Sequence, residues 1–409
     1  MLGKNLGRMA VLTMTAALTL AGGATAQEGP IKVGFAADLT GACGALSEDG
    51  LNGAKIAAAE INEAGGVLDR QLELIVRDTQ TKPDEGAKVA RQLITDDKID
   101  VLTGVCSSAV MLAESAVSAE LKTPFYAAIG STQRANIELF QPYFWQVQAN
   151  ATMEAYAAAE YVAKHPEWKR ISFLGSDYEW GHTSVAAFTE RLKELRPDME
   201  LAPPTYAKVG ETSMAPYITA TLNQSPDAVF APLFGPSLGA VLKQGQGFGF
   251  FQRTALITLV TVDTLQSQGN SMPDNVYGIA RAPFFALEQT PEVTGFVEKY
   301  RAEFNEYPTD WAVNAYDGLK FYAEAVRHAG TTEADAVIKA LGEVKYDGLR
   351  ENGLYVRALD GQMNAPVYMG KVTKSEEYGF PILTEVEKFE GAPLMPAEDF
   401  ITAARAAAK

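Results

Sequence analysis

Histidine and cysteine are almost absent from this 409-residue chain, which has three of the first and two of the second. His165, His182 and His328 lie far apart, and none belongs to an H-x-x-x-H or similar ligand pattern, so the sequence offers no metal centre of the usual spacing. It also lacks a G-x-S-x-G nucleophile elbow, and its acidic residues are scattered like a solvated surface, so no carboxylate pair for acid–base work stands out. Basic residues are in deficit, 35 Lys and Arg against 51 Asp and Glu, giving a formal charge of −16. A surface of that sign repels nucleic acid and anionic lipid. Beyond the N-terminal segment no run of 18 apolar residues occurs, so no membrane-spanning helix is expected there. No cofactor is expected either. The run Gly245–Phe250 (GQGFGF) imitates a nucleotide loop, but it follows a helical pattern and reads as a helix C-cap and turn.

What remains is a globular composition, 47% hydrophobic and 21% charged, in a chain long enough for two α/β domains. Residues 1–26 read as a secretory signal peptide. Lys4 and Arg8 open it, Met9–Leu20 is its apolar stretch, and Ala24-Thr25-Ala26 is a small-x-small cleavage site. No cysteine directly follows that site, so no lipid attachment is expected, and the protein is expected to be exported and soluble. In an oxidising compartment Cys43 and Cys106 are expected to pair. Each follows a predicted strand, and in a sheet of order 2-1-3-4-5 those strand ends are neighbours. A reactive or metal-binding thiol is the alternative.

Alternation of apolar strands and helical patterns recurs along the chain. Strands are predicted at Ile31–Phe35, Leu72–Val76, Asp100–Val105, from Thr123 and from Tyr143, with helices between them, as one doubly wound lobe. The pattern restarts at Arg170 with strands there, at Leu201–Val209, from Asp227, from Thr254 and near Asn275–Ala282. Helices are expected over Pro291 to Leu341 and a β-like tail over Gly353–Val372. No low-complexity linker separates the lobes, so the chain is expected to cross between them several times. The stretch Val101–Met111 (VLTGVCSSAVM) is a strand leading straight into a helix. Ser107 or Ser108 there can serve as a plain N-cap, or the free N–H groups of the turn can hold a carboxylate.

Several runs together carry a resemblance: IKVGFAADLTG, GLNGAKIAAAEINEAGG, VLTGVCSSA, YEWGHTSVAAF and AYDGLKFYAEAV. In these the chain resembles the periplasmic substrate-binding proteins of ABC transporters, of the branched-chain amino-acid type. The resemblance covers nearly all of residues 30–375. It implies two doubly wound α/β lobes joined by a three-strand hinge, with crossings near Gln148, Ala280 and Tyr368. One lobe would hold residues 30–147 plus 281–367, the other 148–280 plus 368–409.

The same resemblance implies a monomer that captures a small carboxylate ligand between its lobes and delivers it to an inner-membrane ABC permease. The ligand would be an apolar amino acid or an aromatic or apolar carboxylic acid. Ser107, with Ser108 beside it, would hold the carboxylate, together with Ala128 and Gly130 of the loop after the fourth strand. Relatives carry Thr or Ser at the last position, so Ser131 or Thr132 is a substitute if the loop shifts. Leu46 and Trp311 would line the site and Trp180 or Tyr178 would close over it, unless these aromatics only pack the core. A further departure concerns the acid that pairs with a ligand's ammonium. The matching stretch is Leu259–Val262, and the nearest acid is Asp263. Either Asp263 takes that role or the ligand has no amine, because an unpaired ammonium in a closed cleft is costly. Two other classes fit the chain: a ligand sensor of the same fold, and a secreted hydrolase using Ser107, for which no histidine base is evident.

Overall fold

The computed structural model describes residues 29–408, so the signal-peptide assignment lies outside the described residues. The first lobe begins with parallel strands β1 (Ile31–Ala37), β2 (Leu72–Asp78), β3 (Val101–Thr103), β4 (Phe125–Ala127) and β5 (Phe144–Gln146). The chain then builds a second sheet from β6 (Arg170–Ser176), β7 (Glu200–Leu201), β8 (Thr205–Ala207), β9 (Ala228–Ala231), β10 (Ala255–Leu259) and β11 (Val276–Ala280). It returns to the first sheet with β12 (Val356–Arg357) and β13 (Gln362–Met363), and ends in the second with β14 (Val367–Thr373) and β15 (Ile382–Phe389). The first sheet has the order β12-β13-β5-β4-β3-β1-β2, the second β15-β14-β11-β10-β9-β6-β7 with β8 on β6. Two doubly wound lobes therefore share three crossings, after β5, after β11 and after β13.

Local chemistry explains where the elements stop. Strand β3 is shorter than Asp100–Val105 because Gly104 takes φ +106°, and a Cβ there would meet the Phe35 ring at 2.5 Å. The strand expected over Leu201–Val209 is broken into β7 and β8 around Pro203-Pro204, since proline has no N–H to give a ladder. Helix Gly235–Gly247 ends before Gly249, whose φ of +64° makes the turn expected of GQGFGF. Elements without a sequence expectation include the antiparallel strand β15 and the helices Ala151–Ala163, Val262–Gln268 and Glu398–Ala407.

Packing sets the cleft walls. Helix Gly44–Glu63, which carries Leu46, lies so close to helix Asp310–Ala329, which carries Trp311, that a Cβ on Gly53 would sit 2.0 Å from the Ala312 carbonyl oxygen. At the hinge, Arg350 and Asp317 form a fully buried ion pair (2.7 Å), and Arg350 also donates to the Val147 carbonyl on the first crossing. Gln362 donates to the Gln148 carbonyl and accepts from Asn150, joining the first and third crossings by side-chain hydrogen bonds. Asp310 accepts from the backbone N–H groups of Arg281 and Ala282 (both 2.8 Å), fixing the second crossing to the first lobe. The C-terminal segment departs from its expected place in the second lobe. Arg405 in the last helix donates to the carbonyls of Asn136, Ile137 and Leu359, so this helix rests on the first lobe.

Candidate functional site

Between the lobes lies a nearly closed cavity with about 20 Å³ of free volume, room for about one water molecule. The first lobe contributes Leu46, Cys106, Ser108, Ile129, Ser131 and Trp311. The second contributes Tyr178, Trp180, Phe234 and Leu259, and the second crossing supplies Arg281. Six residues expected at the site are thus brought together: Leu46, Ser108, Ser131, Tyr178, Trp180 and Trp311. Ser107, Ala128, Gly130 and Asp263 are not among the lining residues.

Their surroundings explain why. The turn after β3 does bind an anion, but the anion is Asp38 from the end of β1. Its carboxylate accepts from the N–H groups of Cys106 (3.0 Å) and Ser107 (2.7 Å), and from the Thr79 hydroxyl. Burial raises the Asp38 pKa, and these donors hold the rise in check. The Ser107 hydroxyl makes no capping bond to the helix it precedes. Cys43 and Cys106 form a disulfide, with Cα atoms 6.1 Å apart, that ties the loop before Leu46 to the same turn. Gly130 has its N–H on the Val105 carbonyl, and its carbonyl accepts from Gln148. Asp263 accepts from the Trp311 indole N–H (3.0 Å) and from the Thr261 hydroxyl. Burial raises its pKa, with nearby Asp310 adding to the rise.

Arg281 is the group that reading by spacing did not find. Only 3% of it is exposed. Its Nε pairs with the buried carboxylate of Glu154, Nη1 donates to the Ile129 carbonyl (2.7 Å) and Nη2 to the Ser131 hydroxyl (2.9 Å). The guanidinium carbon lies 4.8 Å from the centre of the Trp311 ring, a cation–π arrangement. A guanidinium carries five N–H donors, so two are left for another acceptor. Arg281 follows β11 directly, and a lone arginine at a strand end carries no periodic signal. The Arg-Ala-Pro run after an apolar strand was the only available hint.

The lobes also touch across the cleft. Glu179 of the second lobe pairs with Arg134 (3.0 Å) and accepts from the Thr132 hydroxyl (2.9 Å) of the first. Tyr178 and Ser108 face one another across the cavity, and burial raises the Tyr178 pKa. Each histidine pairs with a carboxylate away from the cavity: His165 with Glu167, His182 with Asp177, His328 with Glu343.

A sequence profile for proteins described as periplasmic binding protein matches residues 30–377. The chain belongs to the periplasmic binding protein family. Relatives of the chain include branched-chain amino-acid-binding proteins, and its fold matches substrate-binding proteins of the same two-lobed form. It is 22% identical over 322 residues to the leucine-, isoleucine-, valine-, threonine- and alanine-binding protein of Pseudomonas aeruginosa, covering 76% of this chain and 82% of that protein. Its fold matches a solute-binding protein of an ABC transporter from Rhodopseudomonas palustris, solved with 3,4-dihydroxybenzoic acid (TM-score 0.79, 23% identity, 89% of this chain and 98% of that one). It also matches a branched-chain amino-acid-binding protein from Streptococcus pneumoniae solved with isoleucine (TM-score 0.76, 20% identity, 88% and 99%). This periplasmic binding protein thus shares its architecture with binders of both zwitterions and amine-free acids. The family is one of solute-binding proteins and not of enzymes.

Proposed function

We propose that this protein is the extracytoplasmic component of an ABC importer and captures an amine-free aromatic or apolar carboxylic acid between its lobes. The observation that carries the reading is Arg281, a buried cation at the cavity with two uncommitted N–H donors beside the Ser131 hydroxyl. No acidic side chain lines the cavity among the described residues; behind its walls Glu154 is paired with Arg281, and Asp263 accepts from Trp311 and Thr261. An ammonium brought into such a site would lose its hydration without gaining a partner. The walls, Leu46, Ile129, Phe234, Leu259, Trp180 and Trp311, suit an apolar or aromatic body.

In this reading Arg281, Ser131 and Ser108 take the carboxylate. The lobes rotate about the three crossings, and the Glu179 contacts with Arg134 and Thr132 hold the closed form that a membrane permease recognises. Export after cleavage at Ala26 and a monomeric state belong to the same reading. The test is the thermal midpoint of the purified protein with leucine and phenylalanine, and with 4-methyl-2-oxopentanoate, phenylpyruvate, benzoate and 4-hydroxybenzoate. A ligand at a hundred times its Kd stabilises by about 2.7 kcal/mol. Stabilisation by at least one amine-free acid and by neither amino acid is expected. Stabilisation by an amino acid alone overturns the reading and returns Asp263 to the role of ammonium partner.

A further inference from the structure

Trp180 is 5% exposed, begins the helix Glu179–Leu195 on the second lobe, and lines the cavity with Arg281. Its ring meets Phe234 edge-on, with centroids 5.9 Å apart. Its indole Nε1 is buried and has no hydrogen-bond acceptor among the described residues. This differs from Trp311 across the cavity, whose indole N–H is taken by Asp263. Buried donors in folded proteins are nearly always satisfied, and leaving one unmade costs a desolvation penalty. Here the unmet donor belongs to a wall of a ligand cavity, so the natural acceptor is on the ligand.

We infer that Trp180 is a specificity-determining residue whose indole N–H requires a hydrogen-bond acceptor, such as a ring hydroxyl, on the part of the ligand facing the second lobe. The inference rests on the proposed binding of an amine-free carboxylate and narrows it to acids that carry a second polar group. Arg281 and Ser131 fix the carboxylate from the first-lobe side, and Trp180 reads the substituent. A site built around a hydrogen bond to its ligand rejects the analogue lacking that group more strongly than an apolar pocket rejects a change of size.

The test compares Kd values for 3- and 4-hydroxybenzoate with those for 3- and 4-methylbenzoate, which have similar shape but no acceptor. It is done by calorimetric titration on the wild-type protein and on Trp180→Phe, whose unliganded thermal midpoint establishes that it is folded. In the wild type one hydroxybenzoate should bind about 10- to 100-fold more tightly than its methyl counterpart, and in Trp180→Phe the ratio should fall to near one. Methyl acids that bind wild type as well as both hydroxy acids overturn the inference and leave the carboxylate reading standing. That outcome is also the one expected if a water molecule satisfies the indole N–H. A preference that persists in Trp180→Phe overturns it too. If none of the four acids binds, the inference falls, while the carboxylate reading is decided separately by the thermal-midpoint comparison with the other amine-free acids.

Discussion

Replacing Arg281 is the most informative perturbation, because the same guanidinium holds Glu154 and is the proposed anchor of the ligand. Arg281→Met strands the carboxylate of Glu154, whose side chain is 5% exposed. An orphaned buried charge costs about 3–5 kcal/mol of stability. Pairing the change with Glu154→Gln removes the orphan, so the double variant should recover most of the thermal midpoint lost by Arg281→Met alone. Binding should not recover. Two N–H donors remain for a ligand carboxylate, and charge-assisted hydrogen bonds are each worth about 1.5–3 kcal/mol. Affinity for benzoate or phenylpyruvate, whichever the wild type binds, should therefore fall by about 10²- to 10⁴-fold. Glu154→Gln alone should keep or tighten binding, since the guanidinium charge is then no longer shared. Calorimetric titration of the three variants is the assay. A folded double variant that binds the acid within threefold of wild type would refute the assignment of Arg281 as the carboxylate anchor.

Three further outcomes are expected. Cys43→Ser with Cys106→Ser opens a covalent loop spanning 63 residues of sequence, and chemical denaturation should show a loss of about 2–4 kcal/mol; an unchanged midpoint would mean the bridge does not constrain the turn. Gly53→Val places a side chain where the Ala312 carbonyl oxygen is 2.0 Å from the Cβ position, and should cost about 2–3 kcal/mol or leave the protein insoluble; wild-type stability would contradict the close approach of the two helices. Thermal stability should decline from pH 5 to pH 8. Burial and the nearby Asp263 push Asp49 up to about 8, and burial with the nearby Asp38 charge raises Glu114. Both groups bind protons more tightly folded than unfolded, so their contribution is complete below about pH 4 and is lost as pH rises through the folded values. Glu60 works in the opposite sense. Burial pushes it up, but hydrogen bonds from Lys299, Lys320 and Tyr316 outweigh that and bring it down to about 2, so its contribution disappears only in stronger acid. A midpoint that rises between pH 5 and 8, or an Asp49→Asn variant with an unchanged slope, would count against this account.

Much of the fold was legible because strands buried on both faces read as short apolar runs between helical patterns. RISFLGS matches β6 residue for residue, and the order β2-β1-β3-β4-β5 is the one the expected disulfide presumed. What escaped had a weaker signal for a physical reason. Strand β15 pairs only with β14 and buries just Phe389 within its charge-rich TEVEKF run, so it shows no regular apolar pattern. The last helix is alanine-rich with a single fully buried apolar residue, Ile401, and is held to the first lobe by Arg405. Neither the sequence order nor the apolar pattern indicates which lobe an arginine will find.

The site shows the same division more sharply. Residues that line the cavity by being large and apolar, Leu46, Trp180 and Trp311, were placed by the resemblance to the family, and the cavity holds all three. Residues that decide what charge the ligand carries could not be placed in that way, because charge is settled by pairing. The turn at Cys106–Ser107 has the free N–H groups an anion needs, yet Asp38, nearly seventy residues earlier, already satisfies them. Asp263 sits next to the stretch where an ammonium partner belongs, yet its carboxylate is used to hold Trp311 over Arg281. Two acids thus take up, from within the protein, the anion site of one lobe and the cation site of the other. What they leave for a ligand is a guanidinium flanked by hydroxyls, and the proposed preference for a carboxylate over an amine rests on that remainder.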